Sequence, residues 1–125
     1  MKAEEFVNEL NKAQDYMAQE KFQEAIVILE KLKDIDKKGE FDYNLIHRLY
    51  QLSSNSHSLF NQQIILKNIQ ELSSTHDSIS TSKLNLILKE KGELQITDEI
   101  LMREVELLIL RGLLACRLEG NEIIF

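Results

Sequence analysis

Residues 78–125 read SISTSKLNLILKEKGELQITDEILMREVELLILRGLLACRLEGNEIIF, and the order of elements in that stretch decides the fold. Ser78-Ile79-Ser80 suits a very short strand. Leu84, Ile87 and Leu88 share one face of a helix over about 81–91, and Gly92 stands where a helix C-terminus takes a left-handed residue. Thr97 then caps another helix, with Asp98 and Glu99 in the first turn, where the helix dipole favours acids. That helix ends at Gly112. Beyond it, 113–119 and 122–125 are two short apolar runs around Gly120-Asn121, a turn dipeptide that predicts a β-hairpin.

Working upstream, Ser73–Asp77 reads as a turn, preceded by a helix over about 58–72 with Ile65, Leu66, Ile69 and Leu72 on one side. Helix, short strand, helix, turn, helix, two-stranded hairpin is the winged-helix order. Before it, Asp42 is a plausible N-cap for a helix to Leu52 that buries Leu45, Ile46, Leu49 and Tyr50. The serine-rich 53–56 is expected to stop that helix. Lys33–Glu40 is charged, holds Gly39 and breaks the pattern, so it reads as a linker.

At the N-terminus, Phe6, Leu10, Ala13 and Met17 form one stripe of a helix over about 2–18. Phe22, Ala25, Ile26, Leu29 and Leu32 form another over about 22–33. So short a connection implies an antiparallel helical hairpin. The expected fold is therefore mostly α. A tetratricopeptide-like helical hairpin occupies 1–38. A winged-helix region, with its leading helix at 42–52 and a small C-terminal β-hairpin, occupies 41–125.

Composition narrows the function. A chain of 125 residues can bury a real core without disulfides or metals, and Cys116, the one cysteine, excludes a disulfide framework. Apolar runs such as Leu107–Leu110 fall far short of a membrane span, and the N-terminus carries acids where a signal peptide needs bases. A cytoplasmic location without membrane attachment is expected. The net charge of −6 is spread evenly, since residues 1–55 hold 8 Lys/Arg against 11 Asp/Glu and the remainder 7 against 10. Nucleic-acid binding rests on neutralising phosphates, so a chain without a basic half disfavours it. Proline is absent and glycine occurs four times, which favours helices.

Two segments resemble known families. Lys21-Phe22-Gln23-Glu24-Ala25-Ile26, with Ala13 and Tyr16 upstream, resembles the core of a tetratricopeptide-type hairpin, although stacked repeats generally use several copies. The second segment comprises Ile96-Thr97-Asp98-Glu99, Val105–Ile109, Gly112-Leu113-Leu114 and Leu118–Phe125. It is similar to the end of PCI-type domains, helical repeats capped by a winged helix in scaffold subunits of the proteasome lid, the signalosome and a translation initiation factor complex. The chain departs from that pattern at Leu118-Glu119, where the family usually has Ile-Asp, and in having fewer helices upstream. Winged-helix subunits of endosomal sorting complexes, and of the ligase for a ubiquitin-like modifier, remain related alternatives. The resemblance implies a non-catalytic scaffold or adaptor among protein subunits of a larger assembly.

The residues agree with association. In the helix from Asp98, the run Leu107, Leu108, Ile109 and Leu110 leaves almost no polar face in the last turns, so it must be covered on more than one side. One side belongs to the winged-helix core. The other belongs either to the N-terminal hairpin or to a partner, which leaves a homodimer open. The last strand offers an edge. Leu107, Leu110, Leu114, Ile123 and Phe125 are the candidate partner contacts.

The competing reading is a DNA-binding regulator, whose third winged-helix element enters the major groove. Its candidates are Arg103, Arg111 and Arg117, set against Asp98, Glu99, Glu104, Glu106, Glu119 and Glu122. His47, His57 and His76 lie in separate segments without a second ligand at metal spacing, and Cys116 sits among apolar neighbours without a base to activate it. No catalytic, cofactor-binding or metal-binding residue is expected. The serines of 53–58 and 73–82 read as turn and cap residues rather than modification sites.

Overall fold

The computed structural model describes residues 1–39 and 41–125. Glu40, the last residue of the charged segment, lies outside the described residues. Among the described residues the chain is mostly helical, with five helices and a small antiparallel sheet: α1 (Ala3–Ala18), α2 (Phe22–Asp36), α3 (Tyr43–Ser73), β1 (Ser78–Ser80), α4 (Thr81–Glu90), α5 (Asp98–Leu110), β2 (Arg117–Glu119) and β3 (Glu122–Ile124). It divides into two compact units, Met1–Phe60 and Asn61–Phe125. That division falls inside α3, whereas the sequence pattern placed its break at residues 39–40.

The first unit is built on the α1–α2 hairpin. Phe6, Leu10 and Ala13 of α1 pack with Ala25, Leu29 and Leu32 of α2 and with Leu49 of α3 in one apolar cluster. The apolar spacing of each helix puts these side chains on a single stripe, and the small Ala13 and Ala25 are fully buried. Phe6 lies against Phe41 with ring centroids 4.4 Å apart, a tilted pair that packs the partly buried Phe41 against the cluster. Asp42 caps α3 as its sequence suggests, its Oδ1 accepting from the Asn44 amide at 2.7 Å.

Two expectations fail here. The first is the stop at Ser53–Ser56, because α3 is one helix from Tyr43 to Ser73. Leu49, Ser53 and Ser56 are all buried, at the i, i+4, i+7 spacing of an inward stripe. The serines occupy core-facing positions of a continuing helix, with neither glycine nor proline present to break it. Their hydroxyls have no hydrogen-bond partner in the described structure. The second is burial of Tyr50, which is 48 % exposed. Its ring lies under Lys33 Nζ at 5.3 Å and its hydroxyl lies 3.5 Å from an Asp36 carboxylate oxygen, so the aromatic face meets a cation and the polar end stays wet.

The second unit holds the sheet, whose strands lie in the order β1-β3-β2 and pair antiparallel throughout. Ile123 at its centre pairs with Ile79 on one side and Leu118 on the other. The junction of β1 and α4 is tied to the hairpin turn by Thr81, whose amide and hydroxyl both donate to the Asn121 carbonyl, at 2.8 and 3.0 Å. Ser80 caps α4 through the Lys83 amide, and Thr97 caps α5 through the Ile100 amide. Gly92 and Gly112 end the two helices at φ of +68° and +74°. After α5, the Gly112 amide donates to the Ile109 carbonyl and the Leu113 amide to the Leu108 carbonyl, each at 3.0 Å, the paired bonds of a Schellman turn.

Candidate association surface

The second unit places α5 so that its two sides differ sharply. Inward, Leu101, Val105 and Leu108 are buried at helical spacing, and Glu104 stands on the same side with no exposed surface at all. A carboxyl group stripped of water needs hydrogen-bond partners. Gln62 of α3 donates to one Glu104 oxygen at 3.2 Å, and Arg103 reaches the other at 3.3 Å. Arg111 in turn donates to the Gln62 carbonyl oxygen. The four side chains join the C-terminal half of α3 to α5, and nothing in the i, i+3, i+4 apolar pattern announces them.

At its N-terminus α5 carries a second polar arrangement. Asn85 of α4 is buried and donates to the Ile96 carbonyl at 2.9 Å and to Asp98 Oδ1 at 2.6 Å, while the Ser82 hydroxyl donates to the other Asp98 oxygen at 3.2 Å. The Asn85 hydrogen bond, followed by that of Ser82, holds the Asp98 carboxyl below the ordinary aspartate range. The Asn85–Asp98 pair fixes where α5 starts relative to α4. Beside it, Thr81, Ser82, Asp98, Glu99, Met102, Arg103, Glu106 and Asn121 line a hollow of about 450 Å³ with a mixed polar wall.

The opposite end of α5 is apolar and open. Leu110 is 81 % exposed and Leu113 is 48 % exposed. Glu106, Ile109, Leu110, Cys116, Arg117 and Leu118 line a shallow groove of about 450 Å³ between α5 and β2. Burial raises the Cys116 thiol above its ordinary range.

The five candidate partner contacts divide accordingly. Leu110 stands out from the surface, while Leu107 and Phe125 are half-buried. Leu114 and Ile123 are corrections: both are buried within the chain, Ile123 completely, and neither has surface to offer. Their apolar character serves the core, which a short apolar run cannot distinguish from a docking strand. Cys116 and Leu118, which line the groove, were not among the candidates. The sequence signal for them was the alternation along the first hairpin strand.

The three arginines are not gathered into one free basic face. Arg103 turns to Glu104, Arg111 to Gln62, and Arg117 to Glu119 at 2.8 Å. The histidines are likewise apart. His57 meets Glu30 at 3.1 Å, His47 stacks on Tyr43, and His76 lies against Thr75. The His57 contact, with Lys33 adding to it, lowers the Glu30 carboxyl. Among the described residues no group of three or more His, Cys, Asp or Glu could hold a metal ion, and no helix is long and apolar enough to cross a membrane. Comparison with protein-family models, curated proteins and solved structures finds no match to the chain.

Proposed function

We propose that residues 61–125 are a winged helix that acts as a protein–protein association module, and that the chain is a non-catalytic scaffold or adaptor of the PCI-like kind. Support for the winged helix is the sequence of α3, β1, α4, α5 and a β2–β3 hairpin, with a sheet ordered β1-β3-β2. Support for the tetratricopeptide-like hairpin is the full burial of Ala13 and Ala25 between α1 and α2. The observation that carries the function is the end of α5. A leucine standing 81 % exposed beside an apolar groove is a feature that association would use.

The DNA-binding alternative would need cations on α5 and the hairpin. Here Glu99 and Glu106 are exposed on α5, and all three candidate arginines already have partners. Phosphates brought to that face would meet acids. Fluorescence anisotropy of a labelled mixed-sequence duplex, titrated with the full chain at low salt, tests the proposal. A flat trace up to about 50 µM protein is expected, whereas micromolar binding that weakens steeply with salt would overturn the scaffold in favour of the regulator.

A further inference from the structure

We infer that the groove between α5 and β2 takes a second copy of this chain, through a two-fold contact in which Leu110 of each copy enters the groove of the other. The inference rests on the association reading and names the partner. A two-fold contact requires one patch to carry both halves of the fit. This patch does so, because Leu110, 81 % exposed, lines the groove together with the less exposed Ile109, Cys116 and Leu118.

Charge selects the same occupant. Glu106 stands on the helix wall of the groove and Arg117 on the strand wall. A strongly acidic or strongly basic peptide would meet its own sign on one wall. A second copy presents the same pair in reverse, so that Glu106 faces the partner's Arg117 and Arg117 faces the partner's Glu106. Arg117 is 70 % exposed in its present pair with Glu119, and an exposed pair of that kind holds it loosely enough to be shared. Half-exposed Leu113 extends the apolar rim.

A contact of one leucine per groove is small, so dissociation constants of about 10–100 µM are expected. Sedimentation equilibrium of the full chain over roughly 5–500 µM tests it. The mass should climb from 14.6 kDa towards twice that value. Leu110→Glu should hold the monomer mass at every concentration with an unchanged melting temperature, because the side chain it replaces is exposed. Glu106→Arg or Arg117→Glu alone should weaken the dimer about tenfold, and the double variant E106R/R117E should recover it. A mass fixed at 14.6 kDa throughout overturns the inference, as does dimerisation that ignores Leu110→Glu or a double variant no stronger than either single one. Any of these results leaves association with other proteins standing, because that reading falls only to binding in the duplex titration.

Discussion

Helices α1 and α5 are close in length, yet they handle polarity in opposite ways. On α1 the buried positions are Phe6, Leu10 and Ala13, and the acids Glu4 and Glu5 are exposed. On α5 the buried positions include Glu104, and the apolar Leu110 is 81 % exposed. An amphipathic helix with its charges outward needs only burial to position it. A helix that sinks a carboxyl group and lifts a leucine is positioned by specific partners and leaves apolar surface unspent. The contrast separates a helix held by apolar burial alone from one held by a buried polar network with an exposed leucine at its end.

The largest effect should come from α1. Phe6→Ala empties a fully buried site and loses the Phe41 ring contact, so urea denaturation should show a loss of about 3–5 kcal/mol. A loss below about 1 kcal/mol would mean that this cluster is not the centre of the first unit. Next, Glu104→Ala should cost about 2–3 kcal/mol, because it opens a void and leaves the Gln62 amide without that bond. The matching change on α1, Glu5→Ala, should stay within about 0.5 kcal/mol. Equal effects at the two glutamates would dissolve the comparison.

The helix ends give a smaller and opposed pair. Both α1 and α5 close on a residue in the left-handed region, Glu20 at φ +61° and Gly112 at φ +74°. Only the second is a glycine. Gly112→Ala meets no atom within 4 Å, so its cost of about 1 kcal/mol is purely backbone strain, visible as a lower melting temperature. Glu20→Gly relieves the same strain on α1 and should raise it slightly.

The acid limb of stability gives the least of these effects. Asp98 has a lowered pKa, so its hydrogen bonds from Asn85 and Ser82 contribute fully above the ordinary aspartate range. That contribution fades as pH falls through the lower, folded value. Asp98→Asn should therefore flatten the loss of stability below about pH 4 while leaving the neutral-pH slope unchanged. An acid limb identical to that of the unaltered chain would show that the Asn85–Asp98 pair is not held in solution.

Much of this was legible in the sequence because it is local. The stripes of α1 and α2, the caps at Asp42 and Thr97, the glycines closing α4 and α5, and the Gly120-Asn121 turn each follow from neighbours within one or two turns of chain. What was hidden depends on residues far apart. Ser53 and Ser56 carry the inward stripe of α3, yet as a serine cluster they read as a stop. Glu104 looks like a solvated acid until Gln62, 42 positions earlier, is brought to it. The candidate surface was half legible for the same reason. Leu110 and Ile123 are alike as apolar letters, and only strand pairing with Ile79 and Leu118 puts one in the core and leaves the other outside.

The proposed contact between two copies of the chain lies at the far end of α5. Amide chemical shifts followed over a dilution series from about 500 to 5 µM report it residue by residue. Movements confined to Ile109–Leu113 and Cys116–Leu118 are expected, with the amides of Phe6, Leu10 and Ala13 stationary. Movements centred on α1 and α2, or a spectrum that does not change with concentration, would contradict it.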